Sequence, residues 1–351
     1  MIFHRARIFP ALVAMACLCA CGTNDGSPPV SDRARGDYAQ LPAHLLGGEV
    51  MALAYSGFRP GQHPDRGAGA VNPSEAEILE DLRILLAHGF KLIRLYDSGE
   101  NSLSTLQLIR QHQMPIKVLL GIWLEAEVSN HEGCPWLDEP IPAGKLAGNR
   151  LRNALEIKRG IRLANDFSEI VIAVNVGNEA LVSWNDHMVT LQGVIDYVRQ
   201  VKAGIDQPVT VADNYEWWIQ DGAPLAAELD FIGVHTYPVW ENKTIDEALT
   251  YTISNIEDVH AALPDQAIAI LEGGWATTAS EFGDRASEAN QARYYREVAQ
   301  WASASNTTFF FFEAFDEPWK GDPHNPYGAE KHWGIFKADR TPKRVMLKPR
   351  K

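Results

Sequence analysis

The sequence predicts an α/β fold, a (β/α)8 TIM barrel in a single domain. Three observations carry this. Eight short β-branched or aromatic runs are dispersed evenly between residues 49 and 313, helical periodicity fills the intervals between them, and most runs are continuously apolar. Alternation with helices points to a parallel sheet, and unbroken hydrophobicity points to strands buried on both faces. An open doubly wound sheet is the competing architecture. It calls for a glycine-rich phosphate loop after an early strand, and the sequence has none.

Taken in order, the predicted strands are residues 50–55, 91–96, 116–122, 170–176, 209–212, 231–235, 267–271 and 308–312. After the first, Ser74 and Glu77 form a capping box ahead of Ile78, Leu79, Leu82, Leu85 and Leu86, and Gly89 stops the helix. Leu103, Leu106 and Ile109 mark the second helix. Leu151, Leu155, Ile157 and Ile161 mark the third, with Val189, Val194, Tyr197 and Val201 for the next. Residues 244–263 and 287–305 carry the same period. The span of about 265 residues suits one barrel.

The chain has 351 residues, 46% hydrophobic and 22% charged, which excludes disorder throughout. A net charge of -13 without a basic run argues against nucleic acid as a partner. Residues 1–20 read as an export signal: Arg5 and Arg7 precede an apolar stretch, residues 8–20, too short to span a bilayer. Leu18-Cys19-Ala20-Cys21 resembles a bacterial lipobox, which makes Cys21 the candidate lipid attachment site; an ordinary secretory signal is the alternative. The polar residues 21–44 then form a tether, and the catalytic domain occupies residues 45–351. The expected location is outside the cytoplasm, anchored to a bacterial membrane by lipid only, with the outer membrane favoured because Gly22 follows Cys21. The domain keeps one cysteine, Cys134, so no internal disulfide is available to it.

Two strand exits carry the chemistry. The fourth strand leaves through Asn175-Val176-Gly177-Asn178-Glu179 and the seventh through Leu271-Glu272-Gly273-Gly274-Trp275. A glutamate directly after a buried apolar run is costly to desolvate unless something compensates it. In a barrel these strands face each other, and active sites gather at the C-terminal ends of the strands. Two opposed carboxyls there suit glycosidic cleavage, one protonated to donate and one ionised to attack. Asn178 can hydrogen-bond a sugar hydroxyl or fix the carboxyl. Trp123, Trp184, Trp217, Trp218, Trp240, Trp275 and Trp319 all follow predicted strands, which favours a carbohydrate cleft lined by flat rings.

Together with Tyr55, Gly57, Phe58 and Arg59, the phrases Val234-His235-Thr236-Tyr237-Pro238, Glu313-Ala314-Phe315-Asp316-Glu317-Pro318-Trp319-Lys320 and His332-Trp333-Gly334-Ile335-Phe336 accompany those two glutamate motifs. In this combination the chain resembles glycoside hydrolase family 17 over most of residues 48–340. The resemblance implies a retaining enzyme acting on β-1,3-glucan, with Glu179 as acid/base and Glu272 as nucleophile. It also implies that Glu317 and Lys320 form a charged pair supporting the nucleophile and contacting sugar, and that Tyr96 and Tyr237 line the pocket. One departure is the Gly273 that stands where the family commonly carries Thr or Ser.

The substrate-binding candidates are therefore Asn178, Tyr96, Tyr237, Trp275, Trp123, Glu317 and Lys320. No cofactor and no metal are expected, because His63-Pro64-Asp65 and His131-Glu132 lack a second spaced ligand set. His235, at the exit of the sixth strand, is either a substrate contact or a hydrogen-bonded barrel histidine. A monomer acting on β-1,3-glucan polysaccharide or oligosaccharide is expected. Hydrolysis, transglycosylation through the same covalent intermediate, and non-catalytic glucan binding remain as functions; the two opposed carboxyls argue against the last.

Overall fold

The computed structural model describes residues 49–65 and 69–347. The signal, Cys21 and the tether lie outside the described residues. Eight strands close a barrel in sequence order: β1 Met51–Ala54, β2 Leu92–Arg94, β3 Lys117–Ile122, β4 Val171–Asn178, β5 Val209–Asn214, β6 Ile232–His235, β7 Ile268–Gly274 and β8 Phe309–Phe312. Every neighbouring pair is parallel, and β8 closes on β1 through Met51↔Phe309 and Ala52↔Phe310. The barrel expected from the sequence is thus the fold observed, and each strand overlaps its predicted run.

Helices α1 Glu75–Ala87, α2 Glu100–Gln111, α3 Ala143–Asp166, α4 Leu191–Lys202, α5 Tyr215–Asp221, α6 Ala223–Ala226, α7 Ala248–Ala262 and α8 Glu288–Ser305 fill the crossovers. At the start of α1 the capping box forms in both directions, between Ser74 and Glu77, so two orphan helix donors are satisfied reciprocally. The short α5 and α6 were not foreseen; they rest on Tyr215, Trp218, Leu225 and Ala226 rather than on a long apolar stripe.

The barrel interior is filled by Ala52, Leu92, Leu119, Ala173, Ala212, Phe231, Ala269, Leu271 and Phe310, all fully buried. Small alanines offset two phenylalanines and a few leucines, which lets the inner layers interdigitate at close-packed density. Outside the strands, Leu53, Ile93, Val118, Val174, Val211 and Ile268 pack against the helices.

One helix face differs from the expectation. On α3, Leu151 and Leu155 are exposed, whereas Asn149, Asn153, Glu156, Ile157, Gly160, Leu163 and Ala164 are buried. The reason is the long β3–α3 loop, whose backbone polar groups need partners. Asn153 accepts from the Glu125 amide at 2.8 Å and donates to the Glu125 carbonyl at 3.0 Å, while Asn149 donates to the Ala126 carbonyl at 2.6 Å. A polar stripe on the inner face of α3 therefore holds one wall of the barrel mouth.

Candidate active site

Both glutamates owe their direction to an extra residue in their strand. Along β4 the pairing with β5 passes from Asn175↔Thr210 to Asn178↔Ala212, and along β7 the pairing with β6 passes from Val234↔Ile270 to His235↔Glu272. Such bulges re-aim a side chain and are common beside active sites. In β4 the irregularity includes Gly177 at φ +81°, a left-handed conformation that favours glycine. Glu179 itself sits at φ +47°, pinned by its amide to the Ala212 carbonyl at 2.8 Å and by its carbonyl to the Asn185 side chain at 3.1 Å. Both strands also run past their predicted ends, so Glu272 lies within β7 rather than beyond it.

Across the mouth, one carboxylate oxygen of Glu179 lies within 4.8 Å of one of Glu272. Oxygens this close accord with the short spacing, about 5–5.5 Å between carboxyls, at which the second carboxyl attacks directly, and not with the about 6.5–9.5 Å that leaves room for a water. Their surroundings differ. The Glu272 side chain is 7% exposed and the Glu179 side chain 23%.

Glu272 is held by three donors. Arg94 Nη1 reaches Oε1 at 2.8 Å, Tyr96 Oη reaches Oε1 at 2.9 Å, and Tyr237 Oη reaches Oε2 at 2.6 Å. Burial pushes this carboxyl upward, but the positive charge of the adjoining Arg94 guanidinium and the two tyrosine hydroxyls outweigh burial, and the group lies below the usual glutamate range. It is ionised at neutral pH, the form in which a carboxyl can attack. Burial and the Glu272 charge push both tyrosines well above the ordinary phenol value, so they remain donors. Tyr96 reaches its position because the β2 exit crosses β3 where Gly121 has no side chain; a Cβ there would stand 2.4 Å from the Leu95 carbonyl oxygen.

On the opposite side His235 Nδ1 lies 2.8 Å from Glu179 Oε1. Asn178 accepts from Arg94 Nη2 at 2.5 Å, so Arg94 links β4 and β7. Asn178 therefore orients the cluster while remaining partly exposed at the mouth. Asp213, fully buried at the end of β5, accepts from the Leu181 amide at 3.1 Å; burial and the nearby Glu179 push its carboxyl well above the usual range.

A second charged group stands beside the cleft. Lys320 Nζ lies 2.6 Å from Glu317 and 2.8 Å from Glu313, and Ser56 donates to Glu317. Burial and the Glu317 charge push Glu313 well above the carboxylate range, whereas at Glu317 Lys320 outweighs burial and holds it low. The pairing of Glu317 with Lys320 is present, but the hydrogen bonds described for Glu272 come from Arg94, Tyr96 and Tyr237 instead. Glu330 feels the same charges: burial, Glu179 and Glu272 all push its carboxyl upward, against the pull of Lys320.

The tryptophans divide. Trp275 is fully buried, donates to the Arg285 carbonyl at 2.8 Å and packs against Tyr294, so it is a core residue and not the sugar platform expected. Trp218 is likewise buried, donating to the Gly233 carbonyl. Trp123, packed on His187 with ring centroids 4.4 Å apart, is partly exposed at the β3 exit, and Trp184 and Trp240 are each 42% exposed. At Gly273 a Cβ would come within 2.6 Å of the Phe309 ring, which explains why this chain carries no larger residue there.

Arg94 escaped the sequence-based site, although a charge within the apolar run Leu92-Ile93-Arg94-Leu95 was a signal of the same kind as the two glutamates. Glu179, His235 and Glu272 together offer atoms spaced for a cation. The donor-only guanidinium of Arg94 already lies on Glu272 at 2.8 Å and 3.2 Å from His235 Nε2, a fixed positive charge that opposes a second cation there.

Residues 52–334 match the model of the BtgE/BtgC glycoside hydrolase domain. A glucan 1,3-beta-glucosidase of Arthroderma benhamiae is 28% identical over 284 residues, covering 77% of this chain and 83% of that protein. A putative glucan endo-1,3-beta-glucosidase of Aspergillus niger is 26% identical over 297 residues; the match covers 77% of this chain and 39% of that longer relative. Among solved structures, an endo-laminarinase from Formosa superposes with a TM-score of 0.73 at 26% identity, covering 85% of this chain and 86% of that one. A Rhizomucor miehei β-1,3-glucanosyltransferase shares the fold, with a TM-score of 0.63 at 23% identity over 86% of this chain and 98% of that one.

Proposed function

Because the chain belongs to the BtgE/BtgC glycoside hydrolase domain family, we propose that it is a retaining glycoside hydrolase cleaving β-1,3-glucan through a covalent glycosyl-enzyme. The carrying observation is the opposed pair Glu179 and Glu272, with oxygens within 4.8 Å and with different surroundings. Laminarin-type substrate is supported by the β-1,3-glucan activities named for the relatives.

In the first step the ionised Glu272 attacks the anomeric carbon while Glu179 gives its proton to the departing glycosidic oxygen. The carbon–oxygen bond breaks as the glycosyl ester forms, and Glu179 is left as the carboxylate. In the second step Glu179 takes a proton from water, whose oxygen displaces Glu272. Arg94, Tyr96 and Tyr237 hold the nucleophile in place before and after the ester forms. Trp123, Trp184 and Trp240 offer faces on which further glucosyl units stack.

The test is the mass-resolved product profile of the purified protein on linear β-1,3-gluco-oligosaccharides, with Glu272→Gln as the blank. Shorter products alone support the hydrolase, and their sizes separate endo from exo action. Products longer than the substrate replace it with a transglycosylase, and binding without turnover replaces it with a glucan-binding protein. We also propose export and lipid attachment at Cys21; metabolic labelling with a fatty-acid analogue, lost in Cys21→Ala, tests that.

A further inference from the structure

We propose that His235 is a positioning residue for the general acid, holding one oxygen of Glu179 through Nδ1–H so that the other carries the proton toward the glycosidic bond. The proposal rests on the acid/base reading of Glu179. His235 is completely buried, so it does not touch sugar, and its action must pass through its neighbours.

The tautomer follows from Arg94. Nη1 of that guanidinium, which can only donate, stands 3.2 Å from His235 Nε2. The same nitrogen donates to the Leu271 carbonyl at 3.0 Å and to Glu272 Oε1 at 2.8 Å. Both hydrogens of Nη1 are thereby spent, and a hydrogen on Nε2 would point at this cation; the Glu272 Oε1 atom, 3.6 Å from Nε2, lies beyond hydrogen-bond reach. The ring hydrogen is thereby assigned to Nδ1, which donates to Glu179 Oε1 at 2.8 Å. The charged and titratable groups around this pair are Arg94 from β2 with Tyr96 after it, Asp213 from β5, Tyr237 after β6, Glu272 from β7 and Glu330 after β8.

The consequence is directional. With Oε1 engaged by an N–H, the proton of Glu179 resides on Oε2. When Glu179 gives up that proton the carboxylate becomes charged, and the Nδ1–H bond changes from a neutral hydrogen bond to a charge-assisted one. The interaction is stronger as the leaving group departs than in the ground state, so it accelerates the step that needs an acid. It contributes nothing when the leaving group departs without a proton.

The experiment compares His235→Asn, His235→Gln and His235→Ala in the full chain on two substrates. One is a β-1,3-gluco-oligosaccharide, whose leaving sugar hydroxyl requires protonation. The other is the 2,4-dinitrophenyl β-glycoside of a β-1,3-linked disaccharide, whose phenolate does not. Asparagine places its amide where Nδ1 stands and keeps a donor for Glu179; glutamine places its amide nearer Nε2 and loses that donor. On the oligosaccharide, kcat/KM is expected to fall about 10²-fold in His235→Gln and His235→Ala and to stay within about tenfold of wild type in His235→Asn. On the aryl glycoside all three are expected within about fivefold of wild type.

Equal losses on both substrates, or an asparagine variant no better than glutamine on the oligosaccharide, overturn the proposal. If His235→Ala does not fold, the Asn and Gln pair decides. A wild-type chain that turns over neither substrate overturns the hydrolase reading itself, and this assignment with it.

Discussion

Two buried carboxylates in this barrel are each paired with arginine, and they have different fates. Asp81, on α1, receives Arg340 Nε at 2.8 Å and Nη2 at 2.7 Å, Arg59 Nη2 at 3.0 Å and the Tyr55 hydroxyl at 3.4 Å. Its oxygens are saturated, and it ties the β1 exit and the closing segment to the first helix. Glu272 has one arginine and two hydroxyls, and its neighbour across the cleft is another carboxylate. A carboxyl enclosed by two guanidinium groups and a hydroxyl is a structural clamp. A carboxyl with donors on one side and an opposed acid on the other is a reagent. Tyr55, Gly57 and Arg59, which helped to mark the family resemblance, belong to the clamp: the Gly57 carbonyl accepts from Arg340 at 2.8 Å.

The largest separation between the two should come from removing each charge in turn. Glu272→Gln keeps an acceptor for Arg94 but cannot attack, so kcat on β-1,3-gluco-oligosaccharides should drop about 10⁵-fold, with a thermal melt close to wild type. Steady-state product release together with calorimetry checks both halves. Glu179→Ala should cost less, about 10³-fold on oligosaccharide, with far smaller losses on a dinitrophenyl glycoside. A Glu179→Ala loss equal on both substrates would break the division of labour between the two glutamates.

Asp81→Asn is the reciprocal experiment. It leaves Arg340, which is 6% exposed, without its charge partner, and should cost about 3 kcal/mol in chemical denaturation while kcat changes little. Loss of activity without loss of stability would mean that the clamp positions the cleft and does more than hold the chain.

Much of this contrast could be read from the sequence, and the reason is the cost of burying charge. Glu179 and Glu272 stood out because each follows an apolar run that had to be a barrel strand. Arg94 carried the same signal but has its meaning only through partners 84 and 178 residues away, which no local pattern supplies. The bulges in β4 and β7 depend on register between strands, and only Gly177 hinted at one of them. Trp275 misled because a ring after a strand end can turn outward to sugar or inward to Tyr294, and the sequence is the same in either case. On α3 the apolar spacing of Leu151 and Leu155 suggested a core face, yet the loop carbonyls required Asn149 and Asn153 on that side.

The smallest predicted effect tests how far the donors around Glu272 make it a reagent. Tyr237 donates to Oε2 at 2.6 Å, a bond that is stronger to the ionised carboxyl than to the protonated one, and it helps to hold the group below the ordinary value of about 4.3. The proposed mechanism needs Glu272 ionised, so activity should persist as pH falls through that ordinary value and decline only when the lowered folded value is crossed. Tyr237→Phe removes a donor that favours the ionised form; the carboxyl then moves upward and the acid limb of the kcat/KM profile shifts to higher pH. Near neutral pH Glu272 remains ionised in this variant, so the remaining loss, about tenfold, reports positioning alone. An acid limb that does not move would assign the lowering to Arg94 and Tyr96, and would place Tyr237 with the groups that hold sugar instead of those that tune the nucleophile.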